Sequence, residues 1–157
     1  MICKRLGIGA ALAAGTLAVG LALAPGAAAV VPQTATIVAD CGLYGGGEAT
    51  LTATQNGTAA TITVASSELT APLALAEDSI ASTLTLVKAS GGTTAFTGTE
   101  NPAMDAGDGV QVGPLTGTVA AGDSLEAFGG SLQMVLFGIT VTCTADAAQS
   151  PGPFVFE

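Results

Sequence analysis

The chain has 157 residues and a formal net charge of −9, with twelve acidic residues, three basic ones, no histidine and no tryptophan. Proteins bind nucleic acid and anionic membrane surfaces through clusters of lysine and arginine, so this balance argues against both partners. The missing histidine excludes Ser-His-Asp and Cys-His catalysis and zinc sites built on histidine.

Residues 1–29 have the pattern of a signal peptide. Lys4-Arg5 form a positive start, an uncharged Leu/Ala/Gly run covers 6–24, and Ala27-Ala28-Ala29 match the small-residue pattern that signal peptidase reads. The run is long enough to span a bilayer, so an uncleaved anchor is the alternative. Cleavage after Ala29 would leave 30–157 as one secreted domain, free or held at the cell wall, with no stable membrane anchor. Lys88 is then the one basic residue against twelve acidic ones, a formal charge of −11.

The two cysteines after the predicted cleavage site are Cys41 and Cys143. Export to an oxidising compartment predicts a disulfide between them, with free thiols or an intermolecular bridge as alternatives. They form no C-x-x-C motif, so a thioredoxin-type redox role is not supported.

The strand pattern begins at Thr34–Cys41 and is clearest from Ala49 to Val64. In the second stretch, two alternating runs flank Asn56-Gly57, a preferred central pair for a type I′ turn. A turn centred there pairs Gln55 with Thr58, with aliphatic residues on one face and mostly threonine on the other. The stretch therefore predicts a half-buried antiparallel hairpin.

Further alternating runs follow, separated by Gly, Pro, Asn or Asp. They predict strands at 80–87, 93–97, 110–112, 115–119, 124–128, 131–144 and 154–156. Residues 115–128 suggest a hairpin, and 131–144 a single long strand in which Gly138 marks a bulge or a close approach. The sum is an all-β fold, a two-sheet antiparallel β-sandwich of immunoglobulin-like type, with a closed barrel as the alternative.

Carboxylates are the remaining candidates for chemistry. Glu77-Asp78, and Glu100 with Asp105, are candidate glycosidase pairs, and Asp105-Ala-Gly-Asp108-Gly109 offers oxygens for a loose Ca²⁺ site. The glycosidase interpretation is weakened because aromatic rings that could bind sugar are few. The Ca²⁺ interpretation is weakened because the D-x-D-x-D-G ladder of an EF-hand is missing and because Asp and Gly are ordinary turn residues. We therefore predict no catalytic residue, no metal site and no cofactor, and leave open Ca²⁺ binding by the 98–109 loop.

The chain resembles small secreted actinobacterial proteins that carry one Ig-like β-sandwich after a signal peptide. The resemblance rests on Cys41-Gly42-x-Tyr44, Gly113-Pro114-Leu115-Thr116-Gly117 and Val141-Thr142-Cys143. It implies export, a sandwich with a bridge between early and late strands, and no catalytic residues. In composition the chain is also similar to the apoproteins of enediyne antibiotics, which are acidic exported sandwiches that carry an apolar ligand.

Three functions follow as hypotheses. The first is a non-enzymatic extracellular or envelope-associated domain with a structural or interaction role, whose partner is a protein or a cell-wall polymer. The second is a carrier of a small apolar or cationic ligand, held between the sheets or under the 98–109 loop. The third is a carboxylate-based hydrolase.

Overall fold

The computed structural model describes residues 29–157, and the predicted signal peptide lies outside this range except for Ala29. The described residues confirm the all-β prediction. The strands are β1 (Thr34–Asp40), β2 (Gly46–Asn56), β3 (Ala59–Thr70), β4 (Ala81–Lys88), β5 (Thr93–Gly98), β6 (Gly109–Thr118), β7 (Ser124–Leu136), β8 (Ile139–Ala145) and β9 (Phe154–Val155), and a 3₁₀ turn covers Gly42–Tyr44. In this part of the chain no helix is long and apolar enough to cross a membrane.

The strands close into a barrel. Eight of them pair antiparallel around a ring in the order β4, β5, β6, β3, β2, β1, β8, β7 and back to β4, while β9 adds to the start of β7. The predicted open two-sheet sandwich is therefore wrong. Because a sandwich and a barrel both bury one face of every strand, the alternating pattern does not distinguish them.

Two narrow seams close the ring. β5 and β6 share a single residue pair, Thr97 with Thr116, and β1 meets β8 only through Ala39 and Asp40. At the first seam a Cβ added to Gly117 would come within 2.6 Å of the Phe96 ring, so the absent side chain is what lets the strands approach. Pairings of one or two residues leave no periodic signal in a sequence, which explains why the sandwich was predicted first and the closed barrel only as the alternative.

The β2–β3 hairpin confirms the predicted faces and corrects the predicted register. Its buried face is the aliphatic one: Ala49, Leu51, Ala53, Ala60, Ile62 and Val64. Leu51 pairs with Val64, not with Ile62, because each partner shifts by two residues and so stays on its own face. The turn is centred on Gly57-Thr58, and Gly57 alone has a positive φ, of 62°, as in a type II′ turn.

The predicted long strand over 131–144 is a hairpin. β7 ends at Leu136, β8 begins at Ile139, and these two residues pair across a turn made by Phe137 and Gly138. Both turn residues have positive φ, 49° and 76°, as a type I′ turn requires. The predicted hairpin over 115–128 is wrong as well, since β6 pairs with β3 and β5 while β7 pairs with β4, β8 and β9.

Seven of the eight connections between the described strands gather at two ends, which we call the mouth and the floor, and the eighth, 146–153, runs along β1, where Ser150 pairs with Thr36. The mouth carries connections 41–45, 71–80, 99–108 and 137–138, and the floor carries 57–58, 89–92, 119–123 and both ends of the described chain. Phe154 and Phe156 are fully buried at the floor. Val31 exchanges backbone hydrogen bonds of 2.9 and 2.8 Å with Val155, which brings the two ends of the described chain together.

Cys41 and Cys143 form the predicted disulfide. The bond lies directly beyond the residue pairs of the β1–β8 seam, on the side of the mouth. In the chain-entropy description, a disulfide that closes a loop as long as the one between Cys41 and Cys143 stabilises the fold by about 4–5 kcal/mol. The disulfide therefore fastens the mouth end of this seam. Toward the floor, the segment after β8 continues the backbone pairing with β1, since Asp146 bonds to Val38 and Ser150 pairs with Thr36.

Candidate ligand site at the mouth of the barrel

The mouth contains an apolar groove of about 440 Å³. Its lining combines the 3₁₀ turn, the ends of β3 and β7, the start of β8 and part of the 71–80 connection. The lining residues are Cys41, Leu43, Tyr44, Leu69, Thr70, Pro72, Leu73, Leu75, Ile80, Val110, Met134, Leu136, Phe137, Ile139 and Val141. This volume lies within the range of small-molecule sites in proteins, which are also concave and mainly apolar.

Large apolar side chains around this groove are open to solvent. Leu43 is fully exposed, Phe137 is 70% exposed, and Tyr44, Leu73 and Ile139 are exposed as well. A contiguous exposed apolar patch is uncommon on a soluble monomer and usually marks a binding surface. The patch and the groove together define the candidate site.

Phe137 holds its position at a conformational cost. It is the first central residue of the β7–β8 turn, and its φ of 49° lies in the left-handed region, where Gly and Asn are common and aromatic residues are rare. Because most of the Phe137 ring is exposed, its burial gives little packing energy to set against this strain. Such outliers concentrate at functional sites, which directs attention to the Phe137 ring.

The 3₁₀ turn that presents Leu43 and Tyr44 is held at its base. The Cys41 N–H donates to the Gly45 carbonyl at 2.8 Å, and the Gly42 N–H donates to Oδ1 of Asp40 at 2.7 Å. With Cys41 also in the disulfide, the base of the turn is fixed while its two apolar side chains remain free to meet a ligand.

Asn101 anchors another part of the mouth. This buried side chain accepts hydrogen bonds from the N–H groups of Ser79 and Ile80 at 2.8 and 2.9 Å, and donates to the carbonyls of Ala76 and Pro102 at 2.8 Å each. It thereby ties the 71–80 and 99–108 connections together, and we call these two segments the double loop. The 71–80 segment of the double loop forms one wall of the groove through Leu73, Leu75 and Ile80.

The groove adjoins the interior of the barrel. A second cavity of about 40 Å³ is lined by inward-facing residues that include Leu51 and Val112. Leu69, Val110 and Met134 line both spaces, so they form the boundary between groove and interior. An apolar group entering the mouth would meet these three side chains at its deepest point.

The carboxylates singled out from the sequence lie elsewhere. Glu77, Asp78, Glu100 and Asp105 are all exposed, and none of them lines the groove. Oδ2 of Asp108 accepts the Asp105 N–H at 2.8 Å, which is the ordinary use of aspartate in a turn. Among the described residues no group of three or more His, Cys, Asp or Glu side chains is arranged to hold a metal ion.

Charge is unevenly distributed between the two ends of the barrel. Eight of the twelve acidic residues belong to the mouth connections or to the strand ends beside them: Asp40, Glu48, Glu68, Glu77, Asp78, Glu100, Asp105 and Asp108. Lys88 lies at the floor, where its Nζ is 3.2 Å from Oδ2 of Asp123. The Ala120 N–H, which donates to Asp123, and the Lys88 ammonium hold the pKa of the Asp123 carboxyl below its ordinary value, against the opposing effect of burial.

The residues of the groove were not identified from the sequence, although a signal was present. Leu43-Tyr44 lies between glycines and Phe137 precedes Gly138, so large apolar residues occupy turn positions where polar ones are usual.

No protein-family model matches this chain, and no curated protein or solved structure shows significant similarity to it.

Proposed function

We propose that this protein is a non-enzymatic binding protein that holds a small apolar molecule in the groove at the mouth of its barrel. The observation that carries the proposal is the groove itself, about 440 Å³ in volume and rimmed by exposed apolar side chains. At the opposite end, the floor, Phe154 and Phe156 are fully buried, whereas the groove lies at the mouth.

The chemistry of the lining supports binding over catalysis. Thr70 and Tyr44 supply the side-chain hydroxyls of the groove, Cys41 is consumed in the disulfide, and the remaining lining side chains are hydrocarbon or thioether. A hydrolase using paired carboxylates needs both of them at the bound substrate. The exposed candidates Glu77 and Glu100 lie outside the groove, which favours the carrier over the hydrolase.

The carrier also has more support than a structural role through the sheet faces. The outer face of the β2–β3 hairpin carries mainly threonine, and three exposed apolar residues on other strands, Val38, Phe128 and Val135, do not line the groove. We propose secretion as the setting, since the signal-like segment 1–29 precedes a domain whose disulfide suits an oxidising compartment.

The test is titration with N-phenyl-1-naphthylamine, a neutral probe whose emission rises in apolar sites. Tyr44 is the only tyrosine and the chain has no tryptophan, so the intrinsic emission of the protein reports on the groove. We expect saturable binding of the probe with a parallel change in Tyr44 emission. Failure of the probe to saturate, with Tyr44 emission unchanged, would refute the proposal.

Two matched variants locate the site. Ile139 in the groove is 51% exposed and Val38 on β1, outside the groove, is 53% exposed, so a change to serine removes a similar apolar side chain at each position. We expect Ile139→Ser to weaken probe binding by about fivefold, for the loss of roughly 40 Å² of apolar contact. Val38→Ser should leave it unchanged, and equal effects of the two variants would place the probe elsewhere.

A further inference from the structure

We infer that the occupant of the groove is a cationic amphiphile, with its hydrocarbon part in the groove and its positively charged head group at the acidic rim of the mouth. This inference rests on the proposed function and narrows it to one class of ligand. Two features of the molecule support the inference: the apolar lining at the deep end of the groove and the negative charge of the loops at the mouth.

The deep end of the groove accepts only the hydrocarbon part. Leu69, Val110 and Met134 form the boundary with the interior cavity, and the core residues beyond them, such as Leu51 and Val112, are apolar and fully buried. Moving a charged group into such surroundings without a partner carries a large desolvation penalty. The ligand must therefore enter tail first and leave its head group at the mouth.

The exposed carboxylates of the double loop, which we call the acidic rim, lie beside the groove and not in its lining, and they select the sign of that head group. The double loop alone contributes Glu77, Asp78, Glu100, Asp105 and Asp108, and no basic residue of 30–157 lies at the mouth. A cleft bordered by charges of one sign raises the local concentration of ligands of the opposite sign and disfavours ligands of the same sign. At this end of the molecule an ammonium head group is attracted and a carboxylate head group is repelled.

The experiment compares three ligands that share one tail: decyltrimethylammonium, decanol and decanoate. Each is used below its micellar concentration, and its affinity is measured from the displacement of N-phenyl-1-naphthylamine. At about 10 mM ionic strength we expect the ammonium to bind on the order of fivefold more tightly than the alcohol, and the carboxylate to bind more weakly than both. At about 300 mM the three affinities should converge, since screening acts on the charged head groups and leaves the tail contacts unchanged.

A pair of double variants separates the rim from net charge. Glu77→Gln with Asp78→Asn removes two rim charges, and asparagine tolerates the φ of 55° found at Asp78. Asp146→Asn with Glu157→Gln removes two exposed charges away from the double loop. We expect the first pair to reduce the preference for the ammonium over the alcohol by about threefold at low salt, and the second to reduce it much less.

The outcomes keep the two proposals apart. If the probe itself does not bind, the proposed function fails. If the probe binds and none of the three ligands displaces it, the inference about the ligand class is wrong while the proposed function stands. If all three bind equally at low salt, the groove binds apolar tails and the inference about charge is wrong. If the two double variants lower the preference equally, the effect belongs to net charge and the rim is not the selecting feature.

Discussion

The sharpest test of the groove is replacement of Phe137 by asparagine, because we expect binding and stability to respond differently. Phe137 is the first central residue of the type I′ turn between β7 and β8, with a φ of 49°, and Gly138 is the second, with a φ of 76°. Asparagine before glycine is the sequence that this turn favours. The substitution therefore improves the turn while it removes the ring from the rim of the groove.

The structure sets the size of each effect. Left-handed backbone costs a residue such as phenylalanine about 1–2 kcal/mol, most of which asparagine avoids. The ring is 70% exposed, so it buries about 60 Å² of the roughly 200 Å² that a fully buried ring contributes. At 25 cal/mol per Å² its loss costs at most about 1.5 kcal/mol. These effects nearly cancel, and we expect the free energy of unfolding to change by less than about 1 kcal/mol.

Binding should respond much more strongly. A ligand covering half of the exposed ring area buries about 70 Å² of Phe137 surface, which corresponds to about 1.7 kcal/mol or an affinity loss of roughly twentyfold. Urea unfolding followed by circular dichroism measures the stability, and N-phenyl-1-naphthylamine titration measures the affinity. Phe128 on β7 is the control, since it is 50% exposed and does not line the groove, and Phe128→Asn should leave affinity unchanged.

Two results would refute this reasoning. A loss of 3 kcal/mol or more on Phe137→Asn, the size typical of removing a buried phenylalanine, would show that the ring is part of the core. An unchanged affinity for the probe, in a variant that remains folded, would show that the exposed ring is not part of a binding site.

Three further predictions concern the framework around the groove. Asn101→Ala should lower the free energy of unfolding by about 3 kcal/mol because it leaves buried backbone groups without partners, and a loss below about 1 kcal/mol in urea unfolding would contradict the anchoring role. Gly117→Ala should cost about 1–3 kcal/mol by urea unfolding, since the new methyl group meets the Phe96 ring at the β5–β6 seam, and no loss would mean that the seam is looser than described. Asp123→Asn should cost about 1 kcal/mol at pH 7. Because the pKa of Asp123 beside Lys88 is lowered in the folded protein, its carboxylate stabilises the fold above the ordinary aspartate pKa of about 3.9 and ceases to do so as the pH falls through the folded value. The stability difference between Asp123→Asn and wild type should therefore vanish in acid. A difference independent of pH would contradict the lowered pKa.

The sequence predicted what period-2 alternation encodes and little beyond it. Alternation records which side chains are buried, and every aliphatic residue assigned to the inner face of the β2–β3 hairpin is indeed buried. It does not record the partner of each residue, so the register was wrong by two positions while the faces were right. The turn was misplaced because Asn56-Gly57 fits a type I′ turn, whereas Gly57-Thr58 forms a turn of type II′.

The architecture and the site depended on features with weaker sequence signals. Closure of the barrel rests on the Thr97–Thr116 pair and the close approach at Gly117 at one seam. At the other seam it rests on two pairs between β1 and β8 and on the hydrogen bonds from the segment after β8 to β1. The cysteine pair was predictable because residues 30–157 contain two cysteines, which offer a single intramolecular connectivity. The groove was not, since it assembles Leu43 and Phe137 from turns that lie far apart in the chain.

The central claim is that the apolar groove at the mouth is the binding site, and amide chemical-shift mapping tests it most directly. A ¹H–¹⁵N spectrum of the folded domain is recorded during titration with N-phenyl-1-naphthylamine. We predict saturable shifts concentrated at Leu43, Tyr44, Leu73, Phe137 and Ile139, with the floor unchanged. Shifts concentrated at the floor or on the outer sheet face, or no saturable shift at all, would contradict the account.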